Sequence, residues 1–190
     1  MKKKIAVLAL VLSLLSISIM GTFAYFTDTA VAHNIITTDH IEGNIAILET
    51  QLQEGTEVTY PLYPIEIMPG QAISKIVRVE NEGDQPAYIR AKYILKVVDG
   101  PALKEGMVQI NIGEDWTQKE SDDGWYYYKE PLVRRTTEFF SEVYLDGPLT
   151  TNEYQNCTLN VIVVVQAVQS VNNSDSVLTA QGWPQEILGE

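Results

Sequence analysis

The chain has 190 residues, 45% of them apolar, which suits one domain with a real core. Its 25 acidic residues outweigh 13 basic ones for a net charge of −12. That balance excludes nucleic acid as a natural partner, because a phosphate backbone needs a basic surface, and it disfavours docking on anionic lipid.

The first predicted element is an export signal over residues 1–24. Met1-Lys2-Lys3-Lys4 is a positive start, and Ile5 to Met20 is a 16-residue apolar run broken only by Ser13, Ser16 and Ser18. Spanning a bilayer takes roughly 18–20 residues, so a permanent anchor is the weaker reading. Gly21-Thr22-Phe23-Ala24 then places the small side chains of Thr22 and Ala24 at the −3 and −1 positions of a signal-peptidase site. Cleavage between Ala24 and Tyr25 would release a secreted chain of 166 residues without a stable membrane anchor. Loss of three lysines leaves ten basic against 25 acidic residues, a net of −15, so self-association has to come from specific contacts.

The new N-terminus, Tyr25 to Thr38, is rich in Thr, aromatic and β-branched residues and lacks Pro and Gly. These are strand-forming features, and also those of a segment that aggregates when unpaired. The sequence therefore predicts a donor-strand segment over residues 25–42, with Tyr25, Phe26, Thr27, Val31, Ile35 and Ile36 as the self-assembly residues. Residues 43–190 form the body.

In the body, strands are expected over Asn44–Thr50, Ala72–Glu80, Ala87–Val98, Met107–Ile112, Trp125–Lys129, Thr136–Asp146 and Asn156–Ser170. Pro69-Gly70 presets a tight turn, and Asn81 to Pro86 is a second turn cluster. Ala87–Val98 alternates cleanly, with Ile89, Ala91, Tyr93, Leu95 and Val97 on a core face and a largely wet face opposite. In Asn156–Ser170 the core face holds Leu159, Val161, Val163, Val165 and Ala167, while Ile162 and Val164 predict cover on the second face as well. Glu114–Gly124 reads as a polar loop. Asn173–Gly182 reads as a short helix capped by Asn173 or Ser174. Short strands with turn clusters between them predict an all-β fold, a jelly-roll-like antiparallel β-sandwich.

No catalytic, cofactor or metal site is expected. His33 and His40 lie seven residues apart in the N-terminal segment, and the motifs that place imidazole, thiol or phosphate-binding groups for catalysis are missing. Asp122-Asp123 and Glu114-Asp115 read as solvated loop carboxylates. The lone Cys157 rules out an intrachain disulfide; a buried thiol is expected, with an intermolecular disulfide as the alternative. Trp125-Tyr126-Tyr127-Tyr128 reads as strand packing, with a ligand-binding aromatic platform as the alternative.

Several segments together resemble the TasA/camelysin family of secreted Gram-positive proteins. Gly21-Thr22-Phe23-Ala24-Tyr25-Phe26-Thr27-Asp28 is similar to the family's cleavage block, and Asn34 to Thr38 continues it, with Asp39 where the family usually has Gly. Met68-Pro69-Gly70-Gln71 followed by Val77 to Gly83 resembles its proline-glycine turn and next strand, with Gln71 in place of an acidic residue. Asn152 to Asn156 leading into Leu159–Gln169 is similar to its last long strand, and Ala180-Gln181-Gly182-Trp183 to its biofilm-surface branch. The resemblance implies a jelly-roll subunit of extracellular biofilm matrix fibres, a homopolymer whose signal peptide is cut by a signal peptidase of the SipW type. It leaves open an accessory matrix protein as partner. It also implies the alternative of a camelysin-like cell-surface metalloprotease, for which these residues supply no zinc motif; a surface adhesin is the third reading.

Overall fold

Two antiparallel sheets face each other across an apolar core. The structure, a computed structural model, describes residues 27–32, 44–121 and 124–184. Its strands are β1 (Thr27–Ala32), β2 (Ile45–Gln53), β3 (Thr56–Thr59), β4 (Ala72–Asn81), β5 (Ala87–Val98), β6 (Val108–Ile112), β7 (Trp116–Gln118), β8 (Tyr126–Tyr128), β9 (Arg135–Leu145) and β10 (Thr158–Gln169). One sheet has the order β3-β2-β4-β9-β6. The other is β10-β5-β8-β7, with β1 lying along the outer edge of β10.

The alternation read from β5 and β10 sets the core. Ile89, Ala91, Val161, Val163, Val165 and Ala167 meet Ile45, Val77, Val79, Phe139, Phe140 and Val143 of the opposing sheet, all of them buried. Trp116 and Phe139 pack with ring centroids 4.8 Å apart, and the Trp116 Nε1–H donates to the Glu138 carbonyl at 2.7 Å. Pro69-Gly70 makes the expected turn: Gly70 sits at φ +81°, the left-handed region glycine favours, and the Gln71 N–H donates to the Met68 carbonyl at 3.0 Å. Between β4 and β5, the buried Asn81 amide donates to the Gln85 and Leu132 carbonyls at 3.0 and 2.7 Å and accepts from the Gly83 N–H at 2.9 Å. That short connection puts the end of β4 and the start of β5 at one pole of the sandwich. At the other pole β2 and β5 end and β4 and β10 begin.

The structure corrects three expectations and adds one strand. Among the described residues there is no α-helix. Asn173–Gly182 contains only a 3-10 turn, Val177–Thr179, whose N-cap is Ser176 rather than Asn173 or Ser174. Asn173 instead ties the segment across itself, donating to the Gln169 and Gln181 carbonyls and accepting from the Gln181 N–H; such short polar side chains compete with helical backbone bonds. Glu114–Gly124 is not all loop, since β7 lies within it and pairs with β8. Glu54-Gly55, with both φ angles positive, closes a two-residue hairpin and makes β3. The outer face of β5 is not wet throughout, because Tyr88 is buried there.

A buried ion pair sits between β2 and β4. Lys75 Nζ lies 2.8 Å from Glu49 Oε2, both side chains nearly inaccessible, and 3.9 Å from the centroid of the Tyr60 ring. The second carboxylate oxygen, Glu49 Oε1, is buried without a hydrogen-bond partner. Burial lowers the Lys75 pKa, against the pull of Glu49. Burial, with Glu49 adding, pushes the Tyr60 phenol up to about 12. Removing the cation alone strands the carboxylate, so Lys75→Ala should cost about 3–5 kcal/mol in urea unfolding, and Lys75→Met combined with Glu49→Leu should recover most of it. The Tyr60 shift has a defined sign. The folded state holds its proton where the unfolded chain has lost it, so this contribution is constant below pH ~10 and falls by up to about 2 kcal/mol as pH rises towards 12. Because Lys75 acts in the opposite sense below its ordinary value, the difference between wild type and Tyr60→Phe isolates the effect.

Candidate functional site

The strand with the strongest apolar pattern, β10, is also the one whose outer edge needs a partner. It pairs with β5 along its whole length, from Thr158 opposite Val98 to Gln169 opposite Ala87. Val163 to Val168 are all buried. One face enters the sandwich core. The other face, Val164 and Val168, joins Tyr88, Trp125, Tyr127, Val177 and Ala180 in a second buried cluster.

That second cluster lies beneath residues 171–184, which cross the outer face of the sheet. The Tyr88 hydroxyl donates to the Ser174 carbonyl at 2.8 Å. Arg90 stacks its guanidinium between the Trp125 and Trp183 rings, 4.2 and 4.6 Å from their centroids. The same guanidinium donates two hydrogen bonds, 2.9 and 2.7 Å, to Oε1 of the buried Gln166. Trp125 and Tyr127 are therefore interior residues under this strap, while Tyr126 and Tyr128 pack on the main core. The aromatic run seen in the sequence is packing on both faces of β8.

Along the outer edge of β10 runs β1, antiparallel, with Thr27 opposite Val168, Val31 opposite Val164 and Ala32 opposite Val163. Among the described residues, no strand pairs with that edge from Thr158 to Ile162. Of the expected self-assembly residues, Thr27 and Val31 are thus placed on the β10 edge. Tyr25, Phe26, Ile35 and Ile36 lie outside the described residues, as do the cleavage residues Thr22 and Ala24, both histidines, Asp122 and Asp123. Among the described residues no group of three or more His, Cys, Asp or Glu could hold a metal ion. Cys157 is half-buried at the start of β10, its thiol 3.2 Å from the Asp99 carbonyl.

Sequence reasoning missed a second surface. Leu52, Leu62, Tyr63 and Met68 are between 55% and 72% exposed. Pro61, Tyr63, Pro64, Ile65, Glu66 and the end of β2 line a shallow groove of about 440 Å³. The signal was available: three prolines within Tyr60–Gly70 keep this apolar segment out of any strand interior, so its side chains have no sheet to pack in.

The fold defines the class: an all-β sandwich of two antiparallel sheets, with β1 along the outer edge of β10. Comparison with protein-family models, with curated proteins and with solved structures finds no match to this chain.

Arg90→Ala removes both acceptor bonds of a buried amide and the stack that holds Trp183. It should lower stability by about 2–4 kcal/mol. Tryptophan emission of the folded variant should shift to the red as Trp183 loosens.

Proposed function

We propose that this chain is a secreted structural subunit of extracellular biofilm matrix fibres, polymerising by giving its N-terminal strand to the next copy. The observation that carries the reading is the edge of β10. It is buried on both faces from Val163 to Val168 and flanked by an N-terminal segment in antiparallel register. A donated strand that kept that register would set Ile35 opposite Asn160, Ile36 opposite Leu159 and Thr37 opposite Thr158. A donor strand running from Thr27 to Thr37 would cover β10 from Val168 to its first residue. Main-chain hydrogen bonds would supply affinity, and alternate side chains would supply fit.

The strand order supports a jelly-roll reading of the sandwich. The last strand, β10, lies between β1 and β5, and β9 lies between β4 and β6. The N-terminal strand is then the first strand of the roll. A sandwich whose first strand comes from a neighbour has different donor and acceptor surfaces, so the contact repeats without closing and gives a filament. Residues 1–24 would burden the donor end until cleavage by a peptidase of the SipW type. The resemblance of the cleavage block to the TasA/camelysin family supports the same reading.

N-terminal sequencing of the secreted chain should begin at Tyr25. Deleting Tyr25–Thr38 should abolish fibres seen by electron microscopy, and a synthetic Tyr25–Thr38 peptide should raise the melting temperature of the deletion variant. Fibres of unchanged form from the deletion variant would sink the donor-strand reading.

A further inference from the structure

We infer that the apolar pole bearing Leu52, Leu62, Tyr63 and Met68 is the seat on which the neighbouring copy of this chain rests in the fibre. The inference builds on the strand-exchange reading and names a contact that reading does not require.

It follows from direction and reach. β1 runs along β10 from Thr27, beside Val168, to Ala32, beside Val163. Val168 lies near the pole holding the β4–β5 connection, where the Ser170 N–H donates to the Pro86 carbonyl at 3.1 Å. The strand therefore points at the opposite pole, where β2 and β5 end. A donated strand would enter the acceptor from that side, so the donor's body must sit beyond it. Its tether is short. With the donated strand ending at Thr37, residues 38–43 separate it from Asn44, and they reach at most about 22 Å when fully extended. Asn44 is fixed at the first pole of its own body, where its carbonyl accepts from the Glu82 N–H at 2.7 Å. The first pole of the donor must then face the second pole of the acceptor.

The second pole is where exposed apolar side chains gather. Leu52 is the penultimate residue of β2, Tyr63 lines the groove beside it, and Met68 begins the turn that leads into β4. Val98, the last residue of β5, is also exposed there. Exposed apolar side chains gathered at one pole of a strongly acidic chain point to an interaction site by the ordinary behaviour of protein surfaces. The occupant argued here is a second copy, because the strand direction and the short tether bring one to this pole.

The test uses the full secreted chain carrying Leu62→Ser and Tyr63→Ser, both at positions exposed enough to leave the fold intact. Thermal unfolding of the monomer should match wild type, while the concentration needed for fibre growth should rise by about tenfold or more, as expected when central apolar contacts are lost. Wild-type fibre growth by this variant would overturn the inference. A second pair of cysteines separates it from the strand-exchange reading. In a Cys157→Ser background, fibres of the Val31→Cys, Val164→Cys chain should give a ladder of disulfide-linked multimers. Tyr63→Cys with Gln85→Cys should give a second, pole-to-pole ladder. The first ladder without the second leaves strand exchange standing and removes the seat. Crosslinks confined to single chains in the first pair remove strand exchange and, with it, the basis of this inference.

Discussion

The architecture depends on one strand that has no solvent face. From Val163 to Val168, β10 is buried on the core side by the opposing sheet and on the outer side by the strap of residues 171–184. Such a stretch meets water on neither face, and its one polar side chain there, Gln166, is satisfied by Arg90, so its edges become the places where it is completed. β5 completes one edge along all twelve residues, and the N-terminal strand lies along the other. An exposed edge on so apolar a strand is an aggregation template, and covering it with a chosen partner turns the liability into a specific joint.

The strap explains why the outer face can be apolar in an acidic chain. Arg90 is central to it, stacking on two indoles while satisfying the buried Gln166. The planar guanidinium does both jobs at once, which an ammonium cannot. The strap is thus bound to the sheet by packing, by the stack of Arg90 on Trp183 and by the bond from the Tyr88 hydroxyl to the Ser174 carbonyl, without an α-helix of its own.

Much of this was legible in the chain. The strands β4, β5, β6, β9 and β10 were readable because alternation and turn residues agreed, and the two-sided burial of β10 followed from Ile162 and Val164 interrupting its polar face. The features that escaped are those decided by tertiary contact. β3 depends on a Glu54-Gly55 turn whose first residue adopts a positive φ that its type disfavours. The helix expected over Asn173–Gly182 lost to Asn173 cross-linking its own loop, a competition that local propensity leaves undecided. Tyr88 looked like a wet-face residue because nothing local announces that a segment some 90 residues later will cover it. The N-terminal strand β1 was readable by composition, but its partner was not, since pairing of β1 with β10 joins opposite ends of the chain.

The remaining sheet edges bear on the thickness of a fibre. β3, β6 and β7 have four, five and three residues, and the edge strand β3 carries Glu57 in an ion pair with Arg78. Such short margins, one of them charged, offer little for side-by-side pairing. A sandwich with one long apolar edge and three blunted ones can extend in a single dimension. The proposed fibre would be one molecule wide, and any bundling would need a separate agent.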